Sequence, residues 1–174
     1  MSRTVSWLLL VVWSAWIFAL QGLVAHDGAL AHWTPDLGVC LLLALDPRLE
    51  RRDALLSVVI VSGARIGFTA DPAVAVLVGY AALVVCARQL RRELEVDRLL
   101  PRAALAAVAA ALLTAYWSLA RNVALAHEGL QVAHDPLSVE RLGSAAAATA
   151  LAAVFVGPLL VRLPGMSPLR RRQR

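Results

Sequence analysis

The chain has 174 residues, is 60% apolar and 17% charged, and carries a formal net charge of +5. Soluble domains are about 45–50% apolar and about 25% charged, so this composition argues against a soluble enzyme, a disordered chain and a nucleic-acid-binding domain. All 17 basic residues are arginine, and a pI near 10.5 acquires meaning only once those arginines are located.

A membrane span needs about 20 apolar helical residues to cover about 30 Å of hydrocarbon. The first candidate runs from Ser6 to Ala25 and includes Trp7, Trp13, Trp16 and Phe18. Its core is long for a signal peptide and it ends in a poor cleavage site, so it reads as a retained helix. The second, Leu37–Leu45, reaches only about half a bilayer. It must be extended at its start, tilted, or buried among neighbours. Further runs follow at Ala54–Phe68, Ala73–Ala87, Ala103–Ala120 and Leu142–Val161. The expected fold is an all-α integral membrane protein with six transmembrane helices. One transmembrane domain is expected at 1–165, followed by a basic cytoplasmic tail at 166–174. Cys40 and Cys86 lie in apolar runs and read as small buried hydrophobes.

Thr34-Pro35, Asp46-Pro47, Asp71-Pro72 and Asp135-Pro136 repeat one pattern. An oxygen-bearing side chain caps free backbone N–H groups, and proline takes the first helical position. With Pro101, these marks predict helix starts near residues 35, 47, 72, 101 and 136. Leu163-Pro164-Gly165 stops the last helix, and Pro158 predicts a kink that frees the carbonyl of Val154.

Six spans put both termini on one side. The segments on that side hold 14 arginines, from Arg3 through the Arg48–Arg52 and Arg88–Arg102 turns to Arg174. The opposite side holds three: Arg65, Arg121 and Arg141. The positive-inside rule places both termini in the cytoplasm. The acids divide six and six, leaving +8 inside and −3 outside. The basic pI is therefore a topology signal, and no nucleic-acid partner is expected. The bilayer itself is a partner, and the Arg170–Arg172 run suits anionic headgroups.

All four histidines, His26, His32, His127 and His134, fall on the expected outer side, and Ala-His-Asp occurs at 25–27 and 133–135. Solvated loop residues are the plain reading; a shared metal is the alternative. Neither a metal site nor a cofactor is expected, and no nucleophile or phosphate-loop motif is present. Arg65 lies near the outer end of the third span. A charge inside a span has a partner as a rule, and Asp36 and Asp71 are the candidates for a structural polar cluster. The alternative is snorkelling to the headgroups. Gly63 and Gly67 form a small-xxx-small pair expected to pack against another helix.

Several features together resemble the bacterial rod-shape-determining MreD family. They are the small six-span plan, Pro35-Asp36-Leu37 opening an apolar helix with a charged turn, and Val74–Leu83 running into Arg88-Gln89-Leu90-Arg91-Arg92. Gly157-Pro158-Leu159 in the last span is also similar. Departures are Arg65, where that family often carries an acid, and Thr69-Ala70-Asp71-Pro72 in place of a glycine-rich turn. The resemblance implies a non-enzymatic scaffold of the wall-elongation machinery in the bacterial inner membrane. Its implied partners are an MreC-like protein and, through the complex, MreB, RodA and a class B penicillin-binding protein. That family is similar in fold to the substrate-binding subunits of energy-coupling-factor transporters, which supplies a second expectation. A membrane enzyme using an outer His/Asp metal site is the third.

Overall fold

The computed structural model describes residues 3–26, 33–93, 99–128 and 138–164. Among these residues 89% are helical and none is in a strand. The elements are α1 (Arg3–His26), α2 (Leu37–Leu45), α3 (Arg51–Phe68), α4 (Ala73–Glu93), α5 (Leu99–His127), α6 (Val139–Phe155) and α7 (Gly157–Val161). One 3-10 turn, Asp46–Arg48, joins α2 to α3. α1, α5 and residues Ala73–Arg91 of α4 are long and apolar enough to cross a membrane.

The bundle is apolar on its outside. Leu8, Trp16, Leu23, Val74, Leu112, Val123 and Phe155 are among the large side chains left exposed. An aqueous surface does not tolerate apolar exposure this extensive, whereas hydrocarbon requires it. The centre is α2. At 1.5 Å per residue its nine residues rise only about 14 Å, yet every residue from Gly38 to Leu45 is buried. Burial among neighbours, rather than extension, is thus how the short helix is accommodated. Asp36 caps it, accepting from the Val39 N–H at 2.9 Å. Pro35 precedes the cap instead of occupying the first turn.

Side-chain bonds define the two ends of the bundle. At one end Arg3 pairs with Asp53, and Asp46 takes Arg88 and Arg91. Arg88 and Arg91 also donate to the Leu49 and Leu43 carbonyls. The other end is organised by Arg65. Successive helices α1 to α6 run alternately between these ends.

Several sequence expectations are corrected. Asp46-Pro47 opens the 3-10 turn, and α3 begins at Arg51. The start expected near Pro101 is met, since α5 begins at Leu99 with Pro101 in its first turn. α6 begins at Val139 with Ser138 as its cap, accepting from the Arg141 N–H at 3.1 Å; Asp135-Pro136 lies outside the described residues. Near Pro158 the last helix is interrupted at the single residue Val156, which stays in the right-handed helical region, and Pro158 sits in the first turn of α7. Proline clashes with a continuing helix but is at home in a first turn. Arg102 meets the break by donating to the Ala153 carbonyl at 2.9 Å. Cys40 is buried, but Cys86 is exposed on α4. The tail at 166–174 lies outside the described residues.

The packing expected of Gly63 and Gly67 is also corrected. Among the described residues a Cβ at either position meets nothing within 4 Å, and both glycines are on an exposed face of α3. Small-xxx-small spacing permits close approach without supplying the neighbour. The close approaches are at Gly38 and Gly79. A Cβ on Gly38 would lie 2.8 Å from Phe18 Cζ and 2.9 Å from Tyr80 Cζ. On Gly79 it would lie 2.9 Å from Leu113 Cδ2.

Gly38→Ala should therefore lower the stability of the detergent-purified protein by about 1–3 kcal/mol through overpacking. Gly63→Ala should be neutral, or stabilising by up to about 1 kcal/mol through helix propensity. Thermal melting of the two variants checks this. Equal losses would contradict the packing described.

Candidate functional site

Arg65 occupies the last turn of α3, where the helix dipole favours a cation. Its carbonyl accepts from the Thr69 backbone at 3.0 Å and the Thr69 hydroxyl at 3.1 Å, which ends the helix beside the guanidinium. The residue is buried rather than snorkelling, with 9% exposure. Nη1 donates to Asp36 Oδ2 at 2.7 Å and to Tyr80 Oη at 3.1 Å. Nε and Nη2 donate to Asp71 Oδ2 at 3.3 and 3.2 Å. The guanidinium carbon lies 3.6 Å from the Trp117 ring centroid, a cation–π contact.

The structure thus brings Asp36, Arg65 and Asp71 together. Asp36, from the start of α2, also accepts from the Tyr80 hydroxyl at 3.1 Å. Its own N–H donates to Thr149 Oγ1 at 2.9 Å, and that hydroxyl donates to the Ala145 carbonyl at 2.7 Å. The Leu37 N–H reaches Gln21 Oε1 at 3.3 Å. Asp71, in the turn between α3 and α4, also pairs with Arg121 of α5. Trp117 stacks edge-on against Tyr80, with centroids 5.3 Å apart, and donates to the Ala75 carbonyl at 3.4 Å. Every helix from α1 to α6 contributes to this network.

Tyr80, Trp117, Arg121, Thr149 and Gln21 were not among the expected cluster residues. Tyr80 and Thr149 did carry a signal. Each is a lone hydroxyl inside an apolar or alanine-rich run, and such a group needs a partner when buried.

Beside the cluster lies a cavity of about 230 Å³. Gln21, Thr34, Thr114 and Arg141 line it together with Asp36, Arg65 and Thr149. It is smaller than the roughly 300–1,000 Å³ typical of small-molecule sites. Among the described residues no group of three His, Cys, Asp or Glu is placed to hold a metal. His32 and His134 lie outside the described residues.

No protein-family model, no curated protein and no solved structure matches this chain. The fold and site define its class directly: a helical, multi-pass membrane protein with a buried charge network at one end of the bundle.

Asp71 lies outside the helices and gives a pH test. Burial alone would raise its carboxyl. The hydrogen bond from Arg121 and the charges of Arg65 and Arg121 outweigh that and hold it below its ordinary value. Its contribution to stability is therefore full above the unfolded value of about 3.9 and is lost as pH falls through the folded value. The melting temperature should fall as pH drops below about 4, and Asp71→Asn should lower it at neutral pH while flattening that acid limb. An acid limb of unchanged steepness would remove Asp71 as its source. Tyr80→Phe should cost about 1–3 kcal/mol, since Asp36 and Arg65 each lose a buried partner; chemical or thermal unfolding measures it.

Proposed function

We propose that this protein is a non-enzymatic scaffold of the bacterial inner membrane that resembles the MreD family. In this reading it has six spans and cytoplasmic termini. It joins an MreC-like protein and other wall-elongation membrane proteins through helix–helix contacts. The division of arginines between the two ends supports the orientation.

The observation that carries the scaffold reading is the open face of α3. Gly63 and Gly67 lie one turn apart on it, with no neighbour among the described residues within 4 Å of a Cβ. Leu56 and Val59, both exposed, continue the same stripe. Spacings of three and four residues keep all four on one side of the helix. A notch of glycines flanked by apolar side chains admits the backbone of a second helix in lipid, where close packing drives association. The internal charges agree with a structural role. Asp36, Asp46, Asp53 and Asp71 are each committed to arginine.

A second reading, a substrate-binding membrane subunit of an energy-coupling-factor-type transporter, is favoured by the polar cavity beside Arg65. The size of that cavity restricts it to water or a small ligand, which ranks this reading second.

The scaffold reading is tested with the double variant Gly63→Leu, Gly67→Leu. Among the described residues nothing lies within 4 Å of a Cβ at either position, so melting should be unchanged or rise through helix propensity. Co-purification of the host's MreC-like protein should drop about tenfold, equivalent to about 1.4 kcal/mol of lost contact, and cells relying on the variant should round up. Wild-type recovery of the partner with normal cell shape would overturn the reading.

A further inference from the structure

At the arginine-rich end, α3 and α4 leave a crevice of about 180 Å³ walled by Arg51, Val85, Arg88 and Gln89. Arg51 opens α3 and is exposed, and its side chain makes no hydrogen bond or ion pair with a described residue. Arg88 is held from behind. Its Nε donates to Asp46 Oδ1 at 2.6 Å and its Nη2 to the Leu49 carbonyl at 3.3 Å. Its Nη1 has no partner among the described residues. The Asp46 side chain is only 2% exposed, so this anchor is buried while the crevice side of the pair is open.

The surroundings are ordered by polarity. One turn along α3 from Arg51, Leu55 is 53% exposed. On α4, Val85 and Val78 are 55% and 50% exposed, at successively greater distance from the charged end. Cationic groups at the end of the bundle thus give way to an apolar track toward its middle. The described residues at this end include nine arginines, among them Arg3, Arg48, Arg52 and Arg102, against the four acids Asp46, Glu50, Asp53 and Glu93.

We propose that this crevice binds an anionic phospholipid. Arg51 and Arg88 hold the phosphate, Gln89 lies beside the headgroup, and an acyl chain follows Leu55, Val85 and Val78. Guanidinium matches a phosphate by paired N–H donors. A basic pocket between helix ends at the membrane surface is suited to a lipid headgroup. The Asp46 anchor fixes Arg88 before the lipid arrives, so little side-chain freedom is lost on binding. The site is separate from the glycine face of α3 and from the Arg65 cluster, and requires only that the bundle sit in a bilayer.

The test uses the full chain in detergent, titrated with phosphatidylglycerol or with phosphatidylcholine of the same chain length. Bound lipid is counted by native mass spectrometry. The wild type should retain phosphatidylglycerol in preference to phosphatidylcholine. Arg51→Gln should weaken phosphatidylglycerol binding about fivefold, the equivalent of one headgroup–arginine interaction. Arg48→Gln removes the same charge from another exposed position outside the crevice, and should leave binding within about twofold. Leu55→Asn should weaken it as well, because the acyl track is broken. Arg51 and Leu55 are exposed, so melting should be unchanged in both variants. Equal loss in the Arg51 and Arg48 variants would overturn the proposal in favour of diffuse charge. Unchanged binding in Arg51→Gln would overturn it outright. Displacement of the lipid by millimolar inorganic phosphate would reassign the crevice to free anions.

Discussion

A guanidinium inside a membrane protein has few ways to exist. It must reach water, or collect enough acceptors to replace it. Arg65 collects two carboxylates, a phenol oxygen and an aromatic face. Those partners come from the start of α2, the α3–α4 turn, α4 and α5, so satisfying one cation fixes the relative positions of several helices. Asp36 extends the arrangement through Thr149 to α6, and the adjoining Leu37 N–H extends it through Gln21 to α1. Such a network adds little stability relative to a well-packed apolar core. Breaking one member is costly because it strands a buried charge. In this structure the network joins all six helices from α1 to α6 through one set of contacts.

The short central helix depends on the same constraint. α2 is too short to span hydrocarbon alone and has almost no surface of its own. Its N-terminal end is held through Asp36, and the turn beyond its C-terminal end through Asp46 with Arg88 and Arg91. Each carboxylate is buried against arginine, and each sits where the polypeptide enters or leaves the buried segment. The two ends of the bundle use the same chemistry for different purposes. At the Arg65 end Arg65, Asp36 and Asp71 are nearly enclosed, and of the charges in this network only Arg121 is substantially open. At the opposite end the arginines remain partly open, with buried acids behind them.

Much of this was legible in the sequence, for identifiable reasons. Arg65 stood out because a charge in an apolar run requires a partner, and Asp36 and Asp71 were the candidates among the six acids expected at its end of the bundle. Tyr80, Trp117 and Thr149 were not read as its partners. Which face of an apolar helix turns inward depends on helix rotation, and an alanine-rich or uniformly apolar span encodes that weakly. The glycines show the same limit. Gly63 and Gly67 have the spacing of a packing motif but face outward, whereas Gly38 and Gly79 have no such spacing and sit against Tyr80, Leu113 and Trp117. Proline marked the interruptions between helices within a few residues. It did not identify the capping residue, since Asp36 follows its proline and Ser138 has none beside it.

The structure requires Arg65 and Asp36 to act as a unit. The direct measurement is a double-mutant cycle, with unfolding of Arg65→Gln, Asp36→Asn and the combined variant compared in the same detergent. If the pair organises the bundle, each single change is strongly destabilising and the double variant costs less than their sum, with a coupling of about 1–3 kcal/mol. Additive effects, with no coupling between the two positions, would contradict it.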